Sequence, residues 1–356
     1  GFDIDSLAEL VEESSSKSYP PIITSPGFCV YIKRQVMNEI GIFDEDFAPA
    51  YEEENDFCIR AFKAGYFAVL DDATFIHHRG EASYSEKASR LKQEHYQLME
   101  RKNPGYMNLV QSFVQENPLR DIQERVRRRI IQEYAKTRPR LLYTVHKSIY
   151  GGSPGGTEFH CLQLVENLKE YLVYVFYPEG KSLVLQEHSP LGVKRYTIPK
   201  PYSEQHCITD PATENLFRQM LEDFSIQLVH FQHLLGLPVS LLHVAREEGL
   251  PVVLTLNDFY CVCPQYMLLK DGNLYCGIPE DMSVCDSCLH RQFGYSKGFQ
   301  ESWRRYCKEV IESAESITCA SQAAMDIYKK VYVMPQDRIQ TIAHGYMSPS
   351  DQRNTY

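Results

Sequence analysis

The sequence predicts an α/β protein whose larger, C-terminal part is a doubly wound parallel sheet. Beyond Arg140, apolar segments such as RLLYTVHKS, LVYVFY and PVVLTLNDF alternate with segments of helical spacing. Apolar strands separated by helices of about 10 to 15 residues indicate βαβ units and a sheet covered on both faces. A glycine-rich turn, GGSPGGTE, follows the first of these strands and leads into a helix at Thr157. Ligands of such folds bind beyond the carboxyl ends of the strands.

The bulk composition limits the classes of function. The chain has 356 residues, of which 43% are hydrophobic, so it can hold two or three domains. Its net charge of −10 argues against a nucleic-acid-binding protein. No apolar run approaches the ~20 residues of a membrane span, and the N-terminal segment lacks the features of a signal peptide. We therefore expect a cytoplasmic protein in which the 11 cysteines are reduced thiols or metal ligands rather than disulfides.

An acidic cluster dominates the N-terminal part. The segment Tyr51–Arg60, YEEENDFCIR, holds four carboxylates in five positions. If residues 53–64 form a helix, Glu53, Asp56 and Arg60 share one face near its N-terminus, where negative side chains are favoured. Crowded carboxylates raise the pKa of some members, as a general base near neutral pH requires. A solvated acidic helix start is the alternative interpretation.

The acidic cluster belongs to a series of four sequence motifs that follow one another along the chain: GFCVYIKR, GIFDEDF, YEEENDFCIRAFKAGY and FIHHRGEAS. Together they resemble the C-terminal half of the catalytic domain of inverting family 2 glycosyltransferases, which have the GT-A fold. The resemblance implies that Glu54 takes the proton from the acceptor hydroxyl, although that family usually has Asp at this position. It also implies that His77 helps to hold a divalent cation, Mn²⁺ or Mg²⁺.

The same resemblance implies roles for the residues around Glu54 and indicates how much of a GT-A domain is found in this sequence. Glu53 and Asp56 would orient the site, and Arg60 would hold the acids in place. The nucleotide-binding units and the Asp-x-Asp motif of a GT-A enzyme do not precede Gly27 in this sequence. We therefore expect residues 1–100 to be the C-terminal part of a GT-A domain.

Residues 101–138 are predicted to form a helical connector. From Pro118 onward, apolar residues are spaced for one helix face, and the other face carries five arginines: Arg120, Arg125, Arg127, Arg128 and Arg129. A basic amphipathic helix at 118–136 can bind peripherally to the inner face of a membrane. The alternative is a connector helix with a solvated charged face.

The phrases GGSPGGTE, VHFQHLLGLP, VVLTLNDFYCVCP, CASQAAMDIY and IAHGY follow one another between Arg140 and Tyr346. Their order resembles the N-terminal, Rossmann-like half of family 4 glycosyltransferases, which have the GT-B fold. In that family this half mainly binds the acceptor. We therefore predict that residues 139–356 form this acceptor-side domain.

The resemblance places a substrate site in the second domain. The glycine-rich loop would face the cleft, and free N–H groups at the following helix start attract anions; a flexible turn is the alternative. His233 lies near a strand end and is either a cleft residue or a structural histidine. Family 4 enzymes often have His where this chain has Asn257, and Asn cannot act as a base, so only substrate binding is expected there. The substrate-binding candidates are therefore Gly155, Gly156, Thr157, His233, Asn257 and Asp258.

A cysteine-rich insert spans residues 261–288. Cys263, Cys276, Cys285 and Cys288 are separated by twelve, eight and two residues. A C-x-x-C pair with two further thiols in one long loop suits a tetrahedral structural Zn²⁺ site. Reduced free thiols, disulfides or an iron–sulfur cluster are the alternatives, and Cys261 could replace Cys263 as a ligand.

The two resemblances together imply a bifunctional enzyme that transfers a hexosyl group from a nucleotide-sugar to a glycan or lipid-linked glycan acceptor, with bacterial surface polysaccharide as the expected product. The donor-binding parts of both folds are not found within the 356 residues. We therefore expect this chain alone to be an incomplete enzyme with little or no activity. A non-catalytic glycan-binding or scaffold module is the competing class.

Overall fold

The computed structural model describes residues 2–78, 86–151, 155–200, 205–270 and 273–345. The chain divides into two compact units, Gly1–Glu133 and Tyr134–Tyr356. Most of the predicted connector, residues 101–138, lies within the first unit. No helix in the described ranges is long and apolar enough to cross a membrane.

The first unit is mainly helical. Its two strands, β1 (Pro21–Ile22) and β2 (Ala68–Val69), pair antiparallel, and a 3-10 turn covers Glu45–Phe47. The helices are α1 (Ile4–Ser14), α2 (Arg34–Ile40), α3 (Glu53–Lys63), α4 (Glu86–Lys102), α5 (Tyr106–Glu116) and α6 (Arg120–Ala135), the last of which ends just beyond the boundary.

Helix α3 is the centre of this unit because it contributes to two hydrophobic clusters. Ile59 packs in one of them with Phe47, Met99 and Tyr106. On another face of the helix, Phe57 and Ala61 pack with Val36 of α2. The helix predicted at residues 53–64 is therefore confirmed as α3, and Gly41, with φ +84°, caps the C-terminus of α2.

Two segments of the first unit with β-prone composition do not form strands. The segment FCVYI, residues 28–32, has irregular backbone, and Tyr31 is 91% exposed. The segment at residues 74–76 is also irregular. Among the described strands, only β1 and β2 pair here. A β-prone segment without a neighbouring strand has no ladder to complete, so its apolar residues stay exposed.

The basic face of α6 is partly occupied by interactions within its own unit. Arg129 forms ion pairs with Glu13 of α1 at 2.6 Å and with Glu133 at 2.8 Å. Arg125 donates to Ser16 Oγ at 3.0 Å. These two arginines therefore bind the N-terminal segment, and the membrane contact stays a prediction.

The second unit is built on an eight-stranded sheet. Its strands are β3 (Arg140–Thr144), β4 (Leu172–Glu179), β5 (Ser182–Ser189), β6 (Gly192–Pro199), β7 (Leu228–Phe231), β8 (Val252–Leu256), β11 (Ser316–Cys319) and β12 (Ile339–Thr341). The helices are α7 (Gly156–Asn167), α8 (Pro211–Asp223), α9 (Leu241–Glu247), α10 (Met282–Phe293), α11 (Phe299–Ser313) and α12 (Gln322–Tyr328), and a hairpin joins β9 (Leu269–Lys270) to β10 (Leu274–Tyr275).

The strand order is β12-β11-β8-β7-β3-β4-β5-β6. All neighbours from β12 to β4 are parallel, which confirms the predicted parallel core. The sequence analysis did not predict β5 and β6, which extend the sheet antiparallel. The chain adds β4 on one side of β3 and β7 on the other. The order of the strands therefore reverses between β3 and β7, and such switch points hold the ligands of open α/β sheets.

Candidate functional site

Polar side chains gather at the carboxyl ends of the three central strands. Gln232 and His233 follow β7 directly, and Asn257 and Asp258 follow β8 directly. His146 comes two residues after the end of β3. These strands are almost wholly buried, so the first polar residues beyond them are the first that can line a cleft.

His233 and Asp258 form the best-defined pair of the site. His233 Nε2 lies 2.7 Å from Asp258 Oδ2. The backbone N–H of Leu235 donates to His233 Nδ1 at 3.0 Å, so Nδ1 carries no proton. The proton of the neutral ring therefore lies on Nε2 and is donated to the carboxylate. Both residues are candidates of the sequence analysis for substrate binding, and the structure brings them into contact.

Asp258 is held from two sides and remains partly open. Its Oδ1 accepts the backbone N–H of Tyr260 at 2.9 Å, while Oδ2 faces His233. The Asp258 side chain is 28% exposed, against 4% for His233. A small cavity of about 20 Å³ lies beside it, lined by the last residues of β7 and β8, by the residues that follow them and by Tyr328 of α12. The fixed carboxylate thus keeps lone pairs available for a hydroxyl group.

Asn257 contributes one unsatisfied acceptor. Its amide Nδ2 donates to the backbone oxygen of Gln232 at 2.9 Å and to the Gln232 side-chain oxygen at 3.0 Å. Its Oδ1 is buried and receives no hydrogen bond from the described residues. A buried acceptor without a partner is costly, so this oxygen is a candidate contact for a ligand hydroxyl.

The predicted anion site at the start of α7 is occupied by a side chain of the same helix. The Gly155 N–H donates to Glu158 Oε2 at 2.6 Å, and the Glu158 side chain is fully buried. Lys147 Nζ lies 3.4 Å from the same oxygen. A carboxylate in the first turn supplies the negative charge that a helix N-terminus attracts. Gly156 and Thr157 begin α7, and residues 152–154 of the loop lie outside the described residues.

His146 lies between the buried Glu158 carboxylate and the His233–Asp258 pair. The sequence analysis did not identify it as a site residue. Its Nε2 lies 3.1 Å from Glu158 Oε1, and its ring centroid lies 4.6 Å from that of His233. Burial, with a smaller contribution from His233, lowers the pKa of His146 to about 4. The ring is therefore neutral near pH 7, and the short distance to Glu158 is not an ion pair there. The signal for this residue was its position after an apolar strand.

The family model described as Glycosyltransferase Family 4 matches residues 154–346, more than half of the chain. The chain belongs to glycosyltransferase family 4. The match runs from the turn before α7 to just beyond β12, so it includes the site at the ends of β7 and β8. Membership makes the protein a glycosyltransferase with a sugar donor and an acceptor substrate, and the parallel core fits a Rossmann-like GT-B domain. No curated protein matches the chain.

The cysteine-rich insert of this family 4 domain brings the four predicted zinc ligands to one pocket. Cys263, Cys276, Cys285 and Cys288 all line a cavity of about 90 Å³. Burial raises the pKa of Cys263 to about 12. Within the described residues, no three His, Cys, Asp or Glu side chains stand together as ready ligands of one metal ion. Cys261 lines the other cavity instead.

Two of the predicted catalytic residues of the first unit, Asp56 and Arg60, form an ion pair in which Asp56 is buried and Arg60 is partly exposed. Arg60 Nε donates to Asp56 Oδ2 at 2.7 Å, and the second Asp56 oxygen accepts from Asn103 Nδ2 at 3.0 Å. The other Arg60 nitrogens donate to the backbone oxygens of Ile40 and Ile42, both at 2.8 Å. This pair fastens the segment after α2 to α3, so its contacts are structural.

Glu54 differs from its neighbours in environment. It is half-buried, and burial, then repulsion by Glu53 and Glu52, raises its pKa, while the Gly27 N–H counteracts the rise. Oε2 of Glu53 is buried without a hydrogen-bond partner in the described residues. His77, the predicted cation ligand, is exposed.

The backbone before α3 is strained and is held by a distant histidine. Tyr51 and Glu52 have φ of 78° and 76°, in the left-handed region that non-glycine residues rarely adopt. His95 Nδ1 lies 2.9 Å from the Ala50 oxygen and 3.2 Å from the Tyr51 oxygen. Because carbonyls only accept, Nδ1 carries the proton. Such strain persists where the surroundings fix it, often beside a functional group.

Proposed function

We propose that the cleft at the ends of β3, β7 and β8 binds the glycan acceptor, to which the enzyme transfers a hexosyl group from a nucleotide-sugar. The observation that carries this proposal is the half-open carboxylate of Asp258, fixed by His233 at the switch point of a family 4 domain. Sugar hydroxyls are donors, and a fixed carboxylate is a strong acceptor for them.

Each group in the cleft then has a role toward the acceptor. Asp258 orients the hydroxyl that is to be glycosylated, and His233 is a positioning residue, because both of its nitrogens are engaged within the chain. The buried Asn257 Oδ1 accepts a second hydroxyl. His146, neutral at pH 7, lies at the rim beside His233. Orienting a hydroxyl in this way lowers the entropic part of the barrier.

The test combines binding and turnover. The chain is incubated with UDP-, GDP- and TDP-sugars, with and without bacterial surface oligosaccharides, and released nucleoside diphosphate is measured. Because little or no activity is expected of this chain alone, the main readout is oligosaccharide affinity measured by calorimetry, which Asp258→Asn should weaken roughly 10- to 100-fold, as for the loss of a charged hydrogen bond. Asp223→Asn at the exposed end of α8 is the matched control. Unchanged oligosaccharide affinity of Asp258→Asn contradicts the proposal. Robust acceptor-dependent release of nucleoside diphosphate contradicts the expectation that this chain alone is an incomplete enzyme.

We propose a second acceptor site in the first unit, with Glu54 as its general base. The support is the combination of a raised pKa and the strained turn that delivers α3. A base must be ionised near the working pH yet basic enough to take a proton, and a raised carboxyl pKa meets both needs. Glu53, whose Oε2 lacks a partner, lies beside it. The Mn²⁺ or Mg²⁺ that His77 would help to hold remains a prediction.

Glu54→Gln separates this proposal from the first. We expect it to lower the residual transfer activity of the chain roughly 10²- to 10⁴-fold, the usual contribution of general-base catalysis, without changing the oligosaccharide affinity that depends on Asp258. Glu12→Gln, an exposed change in α1, is the control. If Glu54→Gln leaves every product of the chain unchanged, Glu54 is a structural residue.

A further inference from the structure

We propose that Cys263, Cys276, Cys285 and Cys288 bind one structural zinc ion that fastens the insert beside the cleft. The four residues come from three places in the chain: the loop after β8, the residue after β10, and helix α10. All four line the same cavity of about 90 Å³. Zinc in structural sites is bound by four thiolates or imidazoles in tetrahedral geometry, and the pocket offers four thiols.

Hydrogen-bond donors already point at the sulfur atoms. The Ile278 N–H donates to Cys276 Sγ at 3.4 Å, and Gly277 between them has φ +72°, which lets the backbone turn around the sulfur. The Gln265 backbone N–H, two residues after Cys263, lowers the pKa of that thiol against the larger rise caused by burial. Donors in these positions favour thiolates over thiols and orient metal ligands from outside.

Gln292 serves the helical pair in the same way, with its Nε2 donating to Cys288 Sγ at 3.5 Å. Cys285 and Cys288 are three residues apart on α10 and so lie on one face of the helix. Three of the four sulfurs thus have a hydrogen-bond donor, from two separate turns and one helix.

The charge of the pocket matches a zinc tetrathiolate. Four thiolates and Zn²⁺ carry a net charge of −2, and the four thiol protons leave to solvent when the metal binds. Lys270 and Arg291 line the pocket, and the Arg304 guanidinium lies near enough to Cys263 and Cys285 to interact with both. Positive side chains around buried anionic sulfur offset its electrostatic cost.

Binding must draw the sulfurs closer together. The described residues hold no ready group of three metal ligands, and none of the eleven cysteines forms a disulfide bond. A cysteine side chain has one heavy-atom torsion, and rotation about it moves Sγ between staggered positions. The pocket provides the space for this movement, and metal sites in small elements form as the metal binds.

The zinc would stabilise the wall of the cleft. Cys263 follows Asp258 by five residues, and the Phe259 N–H donates to the Tyr266 oxygen at 3.1 Å within the same loop. The Tyr266 ring centroid lies 6.2 Å from that of His233. Fixing Cys263 to α10 therefore fixes the loop that carries Asp258 and Tyr266.

The test measures metal in the whole chain, purified without a histidine tag after expression with added zinc. We expect one zinc per chain by elemental analysis, and cobalt added to the metal-free protein to give the absorption of a tetrahedral tetrathiolate. Cys276→Ser and Cys285→Ser should each lower the zinc content at least about fivefold. Cys29→Ser, an exposed change in the first unit, should not.

Measurements on the wild-type protein test the proposal even if a cysteine variant fails to fold. Removing the metal with a chelator should lower the melting temperature, and zinc should restore it, because a ligand bound only to the native state stabilises it. The proposal is overturned by wild-type protein without zinc and without the cobalt bands, by a disulfide between any two of the four cysteines, or by full zinc in Cys276→Ser.

Discussion

Replacing Glu158 by Gln tests how the cleft end of α7 is held. The change keeps the size of the side chain and an oxygen that can accept the Gly155 N–H, but it removes the negative charge. Glu158 is fully buried at the first turn of the helix, with the Gly155 N–H at 2.6 Å and Lys147 Nζ at 3.4 Å. The substitution therefore measures how much the negative charge of Glu158 alone contributes to stability.

The cost can be estimated from these contacts. A hydrogen bond to a charged acceptor is worth about 1 kcal/mol more than a neutral one, and a carboxylate at a helix N-terminus adds about 0.3–1 kcal/mol. Lys147 is 47% exposed, so its ion pair contributes little. His146 is neutral and contributes no ion pair. We expect Glu158→Gln to lower the free energy of unfolding by about 1–2 kcal/mol, or the melting temperature by about 2–8 °C.

The chain provides its own probe and control for this measurement. Trp303 is its single tryptophan and is fully buried in the second unit, so its fluorescence during urea unfolding reports that unit. Glu166→Gln is the same change at an exposed position of α7 and should be neutral. A loss for Glu158→Gln no larger than that for Glu166→Gln refutes the argument that the buried carboxylate anchors the helix.

Three further predictions follow from the geometry. In a double-mutant cycle on oligosaccharide affinity, the effects of His233→Gln and Asp258→Asn should be non-additive, because His233 acts through Asp258; additive losses of affinity contradict this coupling. Arg60→Ala should destabilise the first unit by roughly 2–4 kcal/mol, measured by calorimetry, because it strands the buried Asp56 carboxylate; a loss below about 1 kcal/mol contradicts this. The free energy of unfolding of the second unit should fall as the pH is lowered from 6.5 toward 4, because buried histidines bind protons in the unfolded chain but not in the folded one. A urea midpoint that does not change over this pH range contradicts the prediction. Burial lowers the pKa of four of its histidines to about 4: His146, His160, His188 and His206.

The parallel core could be predicted because its strands are continuous apolar runs between helical segments. Ligands of such folds bind beyond the carboxyl ends of the strands, and Asp258 and His233 could be predicted as site residues because they follow apolar runs directly. Applied to β3, the same rule would also have found His146, since RLLYTV is equally apolar. The hairpin of β5 and β6 was missed although the turn SPLG, with Gly192 at φ +88°, separates two segments of strand length.

Contacts between distant residues left no local signal. Asn103 lies 47 residues from the Asp56 that it contacts, and His95 lies 45 residues from Ala50. The occupation of the α7 N-terminus by Glu158 depends on which rotamer the fold allows, which no spacing rule supplies. The exposed FCVYI segment shows the converse, because strand-prone residues became a strand only where a partner strand stood beside them.

The antiparallel extension of the sheet has a consequence for solubility. Among the described strands, β6 pairs only with β5, so its outer row of backbone groups is open. Lys194 and Arg195 lie on this strand, and Arg195 reaches across to Glu179 of β4 with a contact of 3.2 Å. Charged side chains on an edge strand oppose the edge-to-edge pairing that starts aggregation. The other edge, β12, has three residues and offers a template too short to recruit another chain.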